Sequence, residues 1–467
     1  MIKTSKQILY IFSCVFLLPI LVSTSIAQPF KSVLDWQMAN SNRCVQAILV
    51  KDFVKAHSFF TPEMKNEFPA DTLRLFWEQF EKKAGRIIKK FDTRIDIDPV
   101  DTNLVAIVHS LRCATGNWDI RTAFKSTAEI DGFFIAQFKP KYGKHTYTVP
   151  EYAYADSVKV RDIMIGKGTD WEINGTLTLP LATGKYPFVI IIHGSGPLDE
   201  DGTYVANKPY ADLAWGLASR GIGVLRFEKR TRAYYSTIRS KKIQVTPDFE
   251  STEDAIEAFK ALKLFKETDT NAIFLLGHGT GGMFIPRAAQ KIEGLKGMIM
   301  LGAPSRPLED VLLDQLEYVL TLDTIIDITD AKKKLEKIKK QHAAVKSKSL
   351  SPDTPNEQLL LETPAPYWLS LKNYNPAELT KSLSIPCFIA YGKRDFQSSM
   401  KDFNLWKKSL SSSKQHAKNL YKIYPSLNYL FMEGVGKASP MEYTIYDHVD
   451  KQLIEDINQW VKELIKK

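Results

Sequence analysis

The apolar pattern along the chain changes period several times, and the changes divide it. An almost unbroken apolar run covers 8–22, shorter than the roughly 20 residues that span a bilayer. Lys3 and Lys6 precede it and Ser25-Ile26-Ala27 follows, so 1–27 reads as a secretory signal. The spacing then turns helical over 34–49 and 71–83, the second stretch carrying Leu73, Leu75, Phe76 and Phe80. Strand-like runs follow at 86–96, 103–113, 118–125 and 129–138, broken by Thr115-Gly116-Asn117 and Asp131-Gly132. Helices followed by antiparallel strands predict a small α+β roll over 33–140.

A linker rich in Lys, Tyr and Pro covers 141–155, and a different order begins beyond it. A hairpin is expected from 158–165 and 171–179. Apolar runs at 188–193, 223–227, 273–276, 298–301, 387–391 and 419–424 then alternate with helical stretches at 210–219, 246–264, 282–292, 401–410 and 449–465. Thr246 supplies a cap and Pro247 a first helical turn. Continuous apolar strands between helices imply a parallel sheet covered on both faces. The alternation stops between Pro304 and Ser370, so the α/β domain at 156–467 is expected to carry a helical lid at about 304–375.

Composition changes this picture little. Of 467 residues 44% are apolar and 25% charged, which excludes disorder and low-complexity classes. The net charge of +10 invites a nucleic-acid hypothesis, but no recognition module accompanies it. Removing Lys3 and Lys6 with the signal lowers the charge to +8. Much of the remainder sits in Lys332-Lys333-Lys334-Leu335-Glu336-Lys337-Ile338-Lys339-Lys340, which reads as a lid helix with a solvated cationic face. Contact between that face and an acidic envelope surface is the partner reading it permits. Four cysteines are too few for a disulfide scaffold. After export Cys44 and Cys113 could pair or stay free, and Cys387 reads as a core thiol. His57 and His109 read as surface or packing residues.

The chemistry concentrates at Leu275-Leu276-Gly277-His278-Gly279-Thr280-Gly281-Gly282-Met283, where a strand runs into a helix as in the Gly-x-Ser-x-Gly elbow. Three further pieces accompany it: His193-Gly194-Ser195-Gly196-Pro197, Asn207-Lys208-Pro209-Tyr210 and Leu225-Arg226-Phe227-Glu228-Lys229-Arg230. Together they resemble secreted bacterial α/β-hydrolases of the dienelactone hydrolase and serine aminopeptidase type, over about 155–467. The roll resembles the cystatin-like or nuclear-transport-factor-like modules found ahead of such hydrolases. The resemblance implies an α/β-hydrolase fold with a helical lid and no cofactor or metal. It also implies an oxyanion loop at Gly194-Ser195 with a further N–H from Thr280.

Two positions depart from that pattern. The nucleophile position holds Gly279, which has no side chain to attack an acyl group. The acid position is kept as Asp395 in Tyr391-Gly392-Lys393-Arg394-Asp395-Phe396-Gln397. The histidine position in Tyr424-Pro425-Ser426-Leu427-Asn428-Tyr429-Leu430-Phe431 holds Tyr429, whose side chain ordinarily titrates near 10 and is a poor base at neutral pH. His193 and His278 read as structural, His416 as solvated and His448 as a cap of the last helix. The expectation is a secreted or periplasmic protein, hydrolase-like in build but impaired in serine chemistry, binding a small acyl, ester or peptide-like ligand. Two alternatives stay open: an active esterase- or peptidase-like hydrolase using Ser195 or another nucleophile, or a non-enzymatic partner protein acting through the roll.

Overall fold

The computed structural model describes residues 31–97, 104–138, 147–322 and 328–466. The expected signal at 1–27 and the first part of the linker lie outside them. The chain divides into two compact units, the first ending at Gly143 and the second beginning at Lys144.

In the first unit, helices α1 (Lys31–Leu49), α2 (Phe53–Ser58), α3 (Pro62–Glu67) and α4 (Ala70–Ala84) precede strands β1 (Ile87–Ile97), β2 (Val105–Cys113), β3 (Gly116–Phe124) and β4 (Gly132–Gln137). The strands form an antiparallel meander in the order β1-β2-β3-β4. Cys44, Ile48, Trp77 and Phe80 from the helices meet Ile107, Leu111, Ile120 and Phe124 from the sheet in one core. The short helices α2 and α3 escape a periodicity argument, since six residues are less than two turns. They are set by their caps instead: Asp52 accepts from Lys55 N–H and Thr61 from Met64 N–H. His109 is buried between Ser41 and Thr93 at 2.6 and 3.3 Å, and burial holds it down at about 3, a neutral packing residue. Cys44 and Cys113 are free buried thiols, pushed up to about 12 and about 11 by desolvation.

The second unit is built on strands β5 (Val158–Ile165), β6 (Ile173–Pro180), β7 (Tyr186–Ile192), β8 (Gly223–Phe227), β9 (Thr268–His278), β10 (Gly297–Leu301), β11 (Cys387–Gly392) and β12 (Leu420–Tyr424). The helices are α5 (Pro209–Ala218), α6 (Arg230–Ala233), α7 (Tyr235–Ser240), α8 (Glu253–Lys263), α9 (Thr280–Ala289), α10 (Leu308–Leu320), α11 (Ile328–Lys346), α12 (Ala365–Leu371), α13 (Pro376–Leu383), α14 (Met400–Leu410) and α15 (Lys451–Ile465). The sheet order is β12-β11-β10-β9-β7-β8-β6-β5. Neighbours from β8 through β7 to β12 are parallel, while β6 runs antiparallel to both β5 and β8. The sheet is therefore mixed at one edge and otherwise parallel, the α/β-hydrolase arrangement.

The central strands carry unbroken apolar runs at 188–192, 272–276 and 298–301 because both faces of the sheet are covered there. Ile190, Leu275 and Met300 point into a core closed by α8, α9, α13 and α14. Their neighbours Ile191, Leu276 and Ile299 point the other way, against α5 and α15. The expected helix at 246–264 begins as a π-helical turn, Asp248–Thr252, before α8. Thr246 still caps it, accepting from Phe249 N–H at 3.2 Å. Between β10 and β11 the chain leaves the sheet as an insertion carrying α10, α11 and α12. It has its own core of Leu308, Val345, Leu359, Leu360 and Trp368, seated on Met283 and Phe284 of α9. Ile338 is packed against that core, while Lys333, Lys337 and Lys340 are exposed. Among the described residues no helix is long and apolar enough to cross a membrane.

Candidate active site

The strand order reverses at β7, whose sequence neighbour β8 lies on one side and β9 on the other. Such a switch point leaves a crevice at the carboxyl ends of the strands. The loops after β7, β9, β10, β11 and β12 supply Gly194, Gly279, Gly302, Asp395 and Tyr429, five positions scattered over 236 residues of sequence.

Gly279 caps α9 with φ +55° and ψ −123°. That backbone region strains any residue with a Cβ, and it projects position 279 out of the turn between β9 and α9. A Cβ built there would overlap the Tyr429 hydroxyl and lie 3.1 and 3.2 Å from Tyr429 Cζ and Cε2. The phenol thus fills the space that a side chain at 279 would need. The same hydroxyl stands 2.9 Å from the Cβ position of Gly194, so it reaches the oxyanion loop as well. On the far side of the turn, a Cβ at Gly281 would overlap the carbonyls of Ile192 and His193.

Tyr429 is held in place by its neighbours. Its ring stacks on His278 with centroids 4.1 Å apart, and His278 Nε2–H donates to its carbonyl at 2.8 Å. With that tautomer, His278 Nδ1 accepts from Tyr210 Oη at 3.3 Å, and Tyr210 Oη accepts from Gly194 N–H at 3.2 Å. Burial holds His278 down at about 4, so it is neutral and acts as an orienting residue. The Tyr429 phenol is raised well above its usual range by burial, then by Tyr210 and Asp395, and stays protonated. A protonated phenol at that height can donate a hydrogen bond but is no base at neutral pH.

Asp395 follows β11 and is 7% exposed. Its Oδ1 accepts from the N–H groups of Gln397 and Ser398 at 2.7 and 3.0 Å. Its Oδ2 has no hydrogen-bond partner among the described residues, and it lies 2.9 Å from the Cβ position of Gly302, with the edge of the Tyr429 ring 3.6 Å from that same point. Desolvation, with Asp402 adding to it, pushes Asp395 up to about 8 against the pull of the two backbone donors. A carboxyl next to an imidazole donor would behave in the opposite way, since an opposite charge and a hydrogen bond both favour the ionised form.

The remaining expected residues are also located. Ser195 is exposed, and its hydroxyl pairs with that of Thr280 at 3.1 Å. Among the described residues no base hydrogen-bonds to the Ser195 hydroxyl: His193 Nε2–H donates to the Asp199 carbonyl, 3.1 Å away, and is held down at about 3 by burial and by Lys229. His448 does not cap α15, contrary to the sequence expectation; Asp450 does, accepting from Gln452 N–H at 2.7 Å. His448 pairs with buried Asp212 of α5 at 3.0 Å, and Asp212 also accepts from Tyr147 Oη and Val449 N–H. That arrangement ties three distant segments together and stands apart from Asp395. His416 is exposed. Among the described residues no group of three His, Cys, Asp or Glu side chains could hold a metal ion.

Two residues of this region, Tyr210 and Lys229, lie in the pieces that carry the family resemblance but receive no role from the sequence. Lys229 stands directly after a fully buried strand and is itself 1% exposed, and a charge in that position is the one hint the sequence offers. The packing around Gly279 also makes a prediction. Gly279→Ala should cost roughly 2–4 kcal/mol, from the positive φ and the overlap with the phenol. A denaturant titration alongside Gly279→Ala/Tyr429→Ala should recover part of that loss, and a loss of under half a kilocalorie would contradict the overlap.

No family model matches the chain. A curated relative does: Esterase EstD of Thermotoga maritima is 30% identical over 419 residues, covering 89% of this chain and 93% of the relative. Est1E from Butyrivibrio proteoclasticus aligns at 15% identity over 66% of this chain and 99% of that one, with a TM-score of 0.41. The acylaminoacyl peptidase of Pyrococcus horikoshii aligns at 14% identity over 81% and 53%, with a TM-score of 0.42. By the extent and identity of the EstD match, the chain belongs to the esterase-type α/β-hydrolase family that includes Esterase EstD.

Proposed function

We propose that this member of the family has lost serine-dependent acyl transfer and uses the crevice to bind a small acyl, ester or peptide-like ligand beneath the insertion. One observation carries the reading: the Tyr429 hydroxyl fills the space over Gly279, so the glycine and the tyrosine are a reciprocal pair rather than two unrelated losses. Asp395 supports it, because a partnerless carboxyl oxygen is what remains when an acid keeps its place and its imidazole is gone. The reading extends to export through 1–27, with α11 as a lid whose cationic face is open to an anionic envelope surface.

The rival is an active hydrolase using Ser195, and its hydroxyl lacks the neighbouring base that such a role needs. A fluorophosphonate probe separates the two. We expect no covalent adduct on the intact protein by mass spectrometry, while a thermal-shift panel of acyl esters and short peptides should contain stabilising members. An adduct abolished by Ser195→Ala would overturn the loss of serine chemistry.

A further inference from the structure

Gly194, in the loop after β7, is pinned through the peptides on both sides of its Cα. Gly194 N–H donates to Tyr210 Oη at 3.2 Å, and Gly194 C=O accepts from Lys229 Nζ at 2.9 Å. Lys229 has a second partner, Glu250 Oε2 at 3.1 Å. Glu250 belongs to the π-helical turn Asp248–Thr252, and its Oε1 accepts from Tyr367 Oη at 2.7 Å. Tyr367 sits on α12, within the insertion. Three consecutive contacts therefore run from the insertion to the loop, through a lysine and a glutamate that are 1% and 8% exposed.

The geometry of the peptide gives the chain of contacts a consequence. A trans peptide is planar, and among the described residues no bond is cis. Holding Gly194 C=O toward Lys229 therefore sends Ser195 N–H the opposite way. Ser195, in the loop after β7, meets the first residue of α9 through its hydroxyl on that of Thr280, and its N–H is one of the donors that the family resemblance assigns to an oxyanion hole. Turning the Gly194 carbonyl would withdraw that donor. The lysine holds the carbonyl, the glutamate holds the lysine, and the insertion's tyrosine holds the glutamate. A buried charge pair in which one oxygen loses its donor shifts to recover it, because an unsatisfied buried acceptor is costly.

We propose that Lys229, Glu250 and Tyr367 form a relay that couples the position of the insertion to the orientation of the Gly194–Ser195 peptide. Lys229 is then a positioning residue for the loop, and a ligand that seats or lifts α12 also sets or relaxes the donor at Ser195. The relay stands on these contacts whether or not serine chemistry is lost. Other contacts anchor the insertion without touching Lys229: Tyr374 Oη donates to Met283 C=O at 2.6 Å, and Arg287 donates to Ser370 C=O at 3.1 Å. Removing Tyr367's hydroxyl therefore cuts the relay and leaves the insertion attached.

Hydrogen exchange by mass spectrometry on the full chain tests this. Tyr367→Phe should speed exchange at 193–197 about tenfold, the weight of one hydrogen bond to a charged acceptor, together with 365–371. Tyr374→Phe, which removes a bond to the neutral Met283 carbonyl outside the relay, should loosen the insertion and leave 193–197 at the parent rate. Glu250→Gln should reproduce the loop effect of Tyr367→Phe, and combining the two should add little to it. A Tyr367→Phe effect confined to the insertion, or an equal loop effect from Tyr374→Phe, would overturn the relay. Probe labelling at Ser195 would instead remove the proposed function and leave the relay intact.

Discussion

Gly279→Ser/Tyr429→His should hydrolyse short-chain p-nitrophenyl esters about 10²–10⁴ times faster than the parent, the range that a positioned base and nucleophile contribute. Neither single variant should do so. Serine alone meets the Tyr429 hydroxyl at its own Cβ, on a backbone already at φ +55°. It therefore gains a strained hydroxyl with a protonated phenol as neighbour. Histidine alone opens the space and gives Asp395 Oδ2 a partner, but nothing attacks. Together they rebuild a nucleophile on the elbow, a base beside it and an acid behind it, on a turn whose strain the family fold tolerates. Initial rates with purified variants of unchanged melting temperature check this. A folded double variant with no gain over the parent would show that 279 and 429 are not the nucleophile and histidine positions, or that the crevice no longer admits esters.

The second large effect is one of stability against pH, and it lies at Asp395. A carboxyl unfolded at 3.8 and folded at about 8 binds its proton more tightly in the native state. Its stabilisation is whole below the unfolded value and is lost as pH climbs through the folded one. Between about pH 4 and pH 8 the native protein should weaken steadily on this account, then level off. Asp395→Asn removes the dependence while keeping an oxygen for the Gln397 and Ser398 amides. The two proteins should be nearly equal at pH 4, and the variant should be ahead at pH 9 by roughly 2–4 kcal/mol, below the ceiling of about 6 that the shift implies. Guanidinium melts at pH 4, 6, 8 and 9 supply the comparison. A constant difference across that range would mean that the native carboxyl is ionised at neutral pH and that Oδ2 has found a partner. The two predictions meet in the double variant, where an imidazole beside Asp395 should abolish the pH-dependent loss.

Much of the fold was readable because it is local. The runs around Ile190, Leu275 and Ile299 announce strands covered on both sides, and the structure places them at the middle of the sheet with alternate residues in two cores. The elbow could be read from Gly277, Gly279 and Gly281, since a turn that tight admits little else. The edge of the sheet was less legible. That β6 lies antiparallel to β8 is a pairing of segments about 50 residues apart, 175–178 with 224–227, and apolar spacing does not encode it. The π-helical turn at Asp248–Thr252 reads as plain helix for the same reason, because one extra residue per turn is settled by what the turn packs against. His448 reads as a helix cap on spacing alone, and only the approach of α5 turns it toward Asp212.

The amino-acid sequence by itself determined that glycine stands at 279, tyrosine at 429 and aspartate at 395, the positions that the family resemblance assigns to nucleophile, histidine and acid. Side-chain chemistry is a property of each residue, and glycine offers no nucleophile in any fold. What only the tertiary structure decided is what became of the vacated space. Residues 194, 279, 395 and 429 are far apart in the chain, and their distances are set by how the loops after four strands converge at one crevice. That convergence puts the Tyr429 hydroxyl over Gly279 and leaves one buried oxygen of Asp395 without a hydrogen-bond partner among the described residues. It also runs a buried lysine and glutamate between the insertion and the loop. Periodicity reports which face of an element is apolar; which distant polar group will meet it is fixed only once the backbone has closed.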